Sequence, residues 1–372
     1  MDEQLSPEQT QLRESAARLC ADLGGAKRAR TLRDKGEGFD RAAWQAMQEA
    51  GWLSMLVPEA RGGLGLGMVE LYVLMEQIGR HAVIAPLLES VAVSRVLGQA
   101  IGRGADEALR AVLAGERLIL PVLTADGWNF GPGSIPLKAR QDGDRLRISG
   151  IASGVPFAPS ADDFLVAVQD WREPVICLLP RNAEGFRLEM KHAVDGTGVG
   201  ELSFSDAPVE KVQIVARGDA ARSAAASLAD LLALGTSVAL LGLAETALAV
   251  TLEHMKTRKQ FGHPLGSFQA LQHRVVDNFV DLEVDRSLLY RICTAWDHGT
   301  ASPPMIAAAK ARCSRSAADI MRTALQLHGA IGYTDEHDVG ILFKRALVLG
   351  ATYGNEFSQS ERFARLTQEA AS

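Results

Sequence analysis

The chain has 372 residues, too many for one small core, so two or three domains are expected. Its 47% apolar and 23% charged composition excludes a disordered chain and points to a soluble globular one. A net charge of -6, spread without long runs of one sign, excludes a basic nucleic-acid surface.

The first stretch, MDEQLSPEQTQLRESAARL, is polar and acidic, unlike an ordinary signal peptide. Ser6 and Pro7 supply an N-cap and a first-turn residue, and Leu12, Ala16 and Leu19 recur on one helical face. DRAAWQAMQEAGW sets Ala43, Met47 and Ala50 at helical spacing before Gly51 stops it. VPEARGGLGLG reads as a loop, because so many glycines favour neither helix nor strand. MVELYVLMEQIGRH and DEALRAVLAGE continue the helical pattern, which makes residues 1–118 an N-terminal helical domain. From 119 to 213 the segments RLRISG, DFLVAVQ, PVICLLP, FRLEM and GELSFS are short, partly alternating and separated by turns. They predict a small antiparallel β domain of barrel or sandwich type. Residues 214–372 return to helix. LADLLALGTSVALLGLAETALAV is interrupted by Asp230 and Glu245, so a buried bundle helix is favoured over a membrane span. Its small residues allow close helix packing, and two more long helices follow. Cys20, Cys177, Cys293 and Cys313 lie far apart without metal-ligand or redox spacing. They read as reduced thiols of a cytosolic, cytoplasmic protein with no metal site. The fold class is multidomain α+β.

Three strings then stand in order: WQAMQEAGWLSMLVPEARGGLGLG (44–67), RKQFGHPLGSFQALQHRVVD (258–277) and QLHGAIGYTDEHDVGILFKRA (326–346). Around a middle β domain, they resemble the acyl-CoA dehydrogenase family over essentially the whole chain. The resemblance implies a C-terminal four-helix bundle, FAD held between subunits, an acyl-CoA substrate and electron-transferring flavoprotein as acceptor. It also implies a glutamate that removes the proton beside the thioester, which requires a carboxylate in a dry site.

On this resemblance Arg258 corresponds to an arginine that reaches the FAD pyrophosphate of a neighbouring subunit, where a planar guanidinium suits phosphate oxygens. Phe261, Gln269, Gln326 and Gly329 match residues near the same end of the cofactor, with Ala330 where a second glycine is common. The bland alternatives are a surface salt bridge for Arg258 and a helix stop for Gly329.

Other family features are missing. Thr124 and Gly133-Ser134 only faintly echo the turn that contacts the flavin ring. Aligned on Gly150, the ring-covering aromatic becomes Gly154 and the hydroxyl becomes Pro156, which has no N–H to offer. The base of the usual late loop falls on Tyr353, and a phenol titrating near about 10 is a poor base. The alternative base position on the first long C-terminal helix falls on Leu232, with Ala233 beside it. Asp230 lies roughly 200° round that helix. Glu356 is either a displaced base or a solvated acid at a helix N-terminus. The pattern is similar to non-catalytic subunits of heteromeric acyl-CoA dehydrogenases, several of which act on CoA thioesters of steroid side chains. The expectation is a chain that lacks its own base and completes the FAD site of a homologous catalytic subunit. A self-sufficient enzyme using Glu356 and a flavin-free scaffold are the alternatives.

Overall fold

The computed structural model describes residues 5–123, 137–170 and 172–371. Thr124, Gly133 and Ser134 lie outside the described residues. The N-terminal helices are α1 (Pro7–Leu23), α2 (Ala26–Lys35), α3 (Arg41–Glu49), α4 (Met68–Arg80), α5 (Leu87–Gln99) and α6 (Arg103–Leu113). Ser6 caps α1: its hydroxyl accepts from the Gln9 N–H, and the Gln9 side chain accepts from the Ser6 N–H. α3 buries Ala43, Trp44 and Met47, whereas Ala50 is exposed at its end. α5 falls in LLESVAVS, a stretch with no helical stripe to read, because that helix is buried nearly all round.

The middle of the chain forms one sheet from β1 (Ile119–Val122), β2 (Lys138–Asp142), β3 (Arg145–Pro156), β4 (Asp163–Asp170), β5 (Pro174–Pro180), β6 (Phe186–His192), β7 (Gly198–Val209) and β8 (Ile214–Arg217). Its order is β6-β7-β3-β2-β4-β5-β8, with β1 beside β4. The sheet is mixed, not purely antiparallel as the pattern predicts. β1 runs parallel to β4, with Ile119 opposite Asp163, and β2 joins the far end of the same β4 edge in parallel. Strands buried on both faces lose the alternation that would reveal direction, and β1 and most of β4 are such strands. β3 shifts register against β7 twice, the second time between Ala152 and Val155, which bends the strand at Gly154.

The C-terminal part comprises α7 (Gly218–Thr257), a hairpin of β9 (Lys259–Gln260) and β10 (His263–Pro264), then α8 (Gln269–Asp297), α9 (Pro303–His328), α10 (Asp338–Ala351) and α11 (Glu356–Ala371). α7 is apolar and long enough to cross a membrane, but 72% of its most apolar window is buried inside the protein. It meets α4 at a contact that admits only hydrogen. A Cβ on Gly242 would sit 2.1 Å from the Glu76 carbonyl oxygen, and one on Gly79 would sit 2.0 Å from that of Ala239. Arg286 of α8 bridges Glu76 of α4 and Glu245 of α7. At the end of α8, Asp297 accepts from the Met68 and Val69 N–H groups at 2.6 and 3.0 Å, capping α4. All four cysteines are buried, and none is in a disulfide among the described residues.

Candidate active site

A cavity of about 470 Å³ lies where α4, α5, α7 and α10 meet the bent end of β3. Most of its wall is apolar and much of it small, including Ala82, Ala85, Ala193 and Ala239; its buried polar members are Glu89, Thr197, Thr236, Arg345 and Tyr353. A larger cleft of about 1120 Å³ lies open beside α2, where charges such as Arg28 and Asp40 are already paired.

Two local structures aim ionisable groups into the smaller cavity. Glu89 sits in the first turn of α5, where the helix dipole favours an acid. That turn is anchored by Ser90, whose hydroxyl donates to the Pro86 carbonyl and accepts from the Trp44 indole N–H at 3.0 Å. Tyr353 lies in the turn between α10 and α11. Lys310 of α9, fully buried, closes the end of α10 by donating to the carbonyls of Leu349 and Gly350 at 2.9 and 3.2 Å. Tyr353 then takes a φ of 57°, an unfavourable left-handed conformation for a bulky residue. Gly354 follows at φ 95°, where a Cβ would meet the Gln359 side chain at 2.4 Å. Gln359 in turn donates to the Tyr353 carbonyl at 2.9 Å.

The result is a buried pair: the Tyr353 hydroxyl donates to Glu89 Oε1 at 2.7 Å. Burial pushes the Glu89 carboxyl up, and the Tyr353 bond opposes that shift. Burial, the Glu89 charge and the bond to it hold the Tyr353 phenol well above 10. The phenol therefore stays protonated near neutrality and is a donor, not a base. Arg345, also in the wall, is committed to Asp195 at 2.9 Å and to Thr197 at 3.1 Å.

The structure brings Gly154, Pro156 and Tyr353 to this one cavity. Leu232 and Ala233 are buried in α7 and do not line it. Asp230, two residues earlier, is buried against Arg362 of α11. Glu356 opens α11 and faces a polar groove with Asp281, Arg312 and Arg315, not the cavity. Glu89 escapes a reading by motif, because a single acid in an apolar run carries no spacing signal; its burial despite its charge is what marks it.

Arg258, Phe261, Gln269, Gln326 and Gly329 are all exposed, and none lines the cavity. Phe261 and Gly262 form the two-residue tip of the β9–β10 hairpin with φ values of 53° and 82°, a turn that normally selects Asn or Gly. Phe261 is 90% exposed there, touching only the edge of Phe268 among the aromatic rings described.

Residues 6–114 match the acyl-CoA dehydrogenase N-terminal domain, and residues 223–366 match the acyl-CoA dehydrogenase C-terminal domain. The chain belongs to the acyl-CoA dehydrogenase family. It is 27% identical to acyl-CoA dehydrogenase FadE27 of Mycobacterium tuberculosis, over 88% of each chain. Among solved structures it is similar to a variant of the Tcur3481–Tcur3483 steroid acyl-CoA dehydrogenase (27% identity, TM-score 0.87, 98% of each chain). It is also similar to the ChsE4–ChsE5 complex from Mycobacterium tuberculosis (25% identity, TM-score 0.89, 99% of each chain).

FAD is the cofactor of the family, and the two surfaces of this acyl-CoA dehydrogenase homologue fit it unequally. The cavity presents no hydroxyl at 154 or 156 and no N–H at Pro156, and Ser153 is engaged with Glu201 at 3.1 Å. Phe157 is in the wall, but it is packed edge-on against Phe39. These residues do not fit a flavin ring. The exposed Arg258 and the Phe261 tip suit the diphosphate and nucleoside end of a cofactor approached from outside.

Proposed function

We propose that this chain is the non-catalytic subunit of a heteromeric, FAD-dependent acyl-CoA dehydrogenase. It completes the FAD site of a homologous catalytic subunit, which oxidises the α,β-carbons of an acyl-CoA thioester and passes electrons to electron-transferring flavoprotein. The reading rests on Phe261. An aromatic held in a left-handed hairpin tip at 90% exposure, with only the edge of Phe268 against it, has most of its ring left for a partner outside. Arg258 stands at the base of the same hairpin. Val276, Phe279, Val280 and Val284 add an exposed apolar stripe along α8 for subunit contact. Tyr353 and Leu232 at the two base positions support a chain without its own carboxylate base. The resemblance to the steroid enzyme and to the ChsE4–ChsE5 complex supports a steroid side-chain thioester and a pairing of unlike chains. A cytoplasmic location fits four buried cysteines held as thiols rather than disulfides.

The test is co-expression with a homologous chain that keeps the glutamate. The complex should carry flavin, and Arg258→Ala or Phe261→Ala should lower its flavin content. Glu356→Gln should leave turnover unchanged. One flavin per chain in this protein purified alone would refute the reading; no flavin in any complex would leave a scaffold.

A further inference from the structure

Three histidines meet at the end of the helical bundle that carries Gln326 and Gly329. His254 lies in the last turn of α7, His328 ends α9, and His337 caps α10. The His254 and His328 rings stack with centroids 4.3 Å apart, and His337 lies 4.4 Å from His328 and 6.4 Å from His254. Among the described residues no three such side chains are placed to hold a metal ion, which leaves proton binding as the chemistry of the cluster. Apolar rings would fill the same space without burying nitrogens.

The hydrogen bonds fix which nitrogens are bare. His328 Nδ1 lies 2.8 Å from the Ala324 carbonyl oxygen and must carry a proton there, so Nε2 is bare in the neutral ring. That Nε2 is buried, with no hydrogen-bond partner among the described residues. His337 Nδ1 accepts from the Val339 N–H at 3.2 Å. A proton placed on it would turn the cap of α10 from an acceptor into a donor, and the helix dipole opposes a cation at that end. The charges around the cluster do not favour protonation either. Arg258 acts on His254 from the end of α7, where Glu253 and Lys256 are paired with each other. Asp335 and Asp338, beside His337, are paired with Arg33 and Arg30 of α2; Lys344 stands 3.9 Å from Asp335, and Glu336 is exposed.

We propose that His254, His328 and His337 form a proton-sensitive latch, which holds residues 329–337 and the start of α10 closed while all three rings are neutral and releases them in acid. Little else holds this segment. Residues 329–331 and 333–336 are exposed, and a surface ion pair such as Arg33–Asp335 adds little. Closure therefore depends on the buried points, which are Gly332, Val339 and the rings. Burial, then the charges of His337 and Arg258, pull His254 below its ordinary 6.5. Burial pulls His328 down too, against its bond to Ala324, and His254 and His337 add to the fall. The opened segment thus binds protons more firmly than the closed one, so closure is fully favoured above about 6.5 and weakens as pH falls below it. The latch does not depend on the partner role, although it acts on the segment that presents Gly329.

The experiment is hydrogen exchange read by mass spectrometry on the full chain alone, at pH 7.5 and pH 5.5, with each rate corrected for its chemical pH dependence. Each proton taken up on opening is worth about tenfold over the unit below 6.5, so two predict a roughly 10- to 100-fold rise in opening of residues 329–342. The buried centre of α7 should not change. The rise should shrink about several-fold in His254→Phe, which keeps a stacked ring, and in His337→Asn, whose side-chain carbonyl still caps α10. It should vanish when both are combined with His328→Phe. Should that triple variant fail to fold, the two single variants decide. Equal opening at both pH values, a rise spread evenly over the chain, or a rise untouched by the single variants would overturn the latch. The partner role would stand in each case, because its flavin test is run at pH 7.5, where the latch is closed.

Discussion

Replacing Lys310 by methionine keeps the side chain's length and apolar stem but removes the amine that closes α10. Burial pulls that amine down to about 7 from its ordinary 10.5. Between those two values the unfolded chain binds the Lys310 proton more firmly than the folded chain does. Folding stability therefore rises with pH across that window, and the full penalty of a buried charge is present below about 7. From pH 7 to pH 9 the gain is roughly 2 kcal/mol, and the methionine variant, with no proton at this site, does not share it. Unfolding entropy is about 2.1 cal/mol/K per residue, or about 0.8 kcal/mol/K for a chain of this size, so the gain equals about 3 °C in Tm. Scanning fluorimetry of both proteins at pH 7 and pH 9 measures it. The wild type should be the more stable at pH 9, where its neutral amine still serves the Leu349 and Gly350 carbonyls. Its advantage should fall by about 3 °C at pH 7. Parallel pH profiles would refute the reasoning and mean that the helix-end carbonyls keep Lys310 charged throughout.

Gly242→Ala drives a methyl against the Glu76 carbonyl and should destabilise the chain by about 1–3 kcal/mol in urea unfolding, with the α4–α7 spacing widened. Asp297→Ala removes the acceptor for two N–H groups of α4 and should cost about 1–2 kcal/mol, measured the same way. Arg345→Met strands Asp195, which is buried, and should cost about 3–5 kcal/mol, whereas an Arg345→Met/Asp195→Leu double variant should recover much of it.

The sequence shows the order of helical, β and helical parts plainly, because amphipathic helices such as α3 and polar turns between strands leave local marks. The strings around Arg258 and Gln326 carry the family. What it hides is set by distant contact. α5 has no stripe because it is buried on all sides, and the parallel pairing of β1 with β4 depends on residues 44 apart in the chain. Phe261 is visible as a letter, but its exposure at a strained tip is a property of the folded hairpin. Glu89 and Tyr353 are 264 positions apart, and neither stands out until α5 and the α10–α11 turn meet at one cavity.

The cap that Asp297 places on α4 joins groups 229 residues apart, so it has a consequence in time. At roughly 5–20 residues per second, the ribosome needs on the order of ten to forty-five seconds after making Met68 to deliver its cap. Over that interval α4 emerges with its first turn open and the apolar surface destined for α7 uncovered. The Asp297 cap and the α7-packed face of α4 are thus completed only after most of the chain has been synthesised.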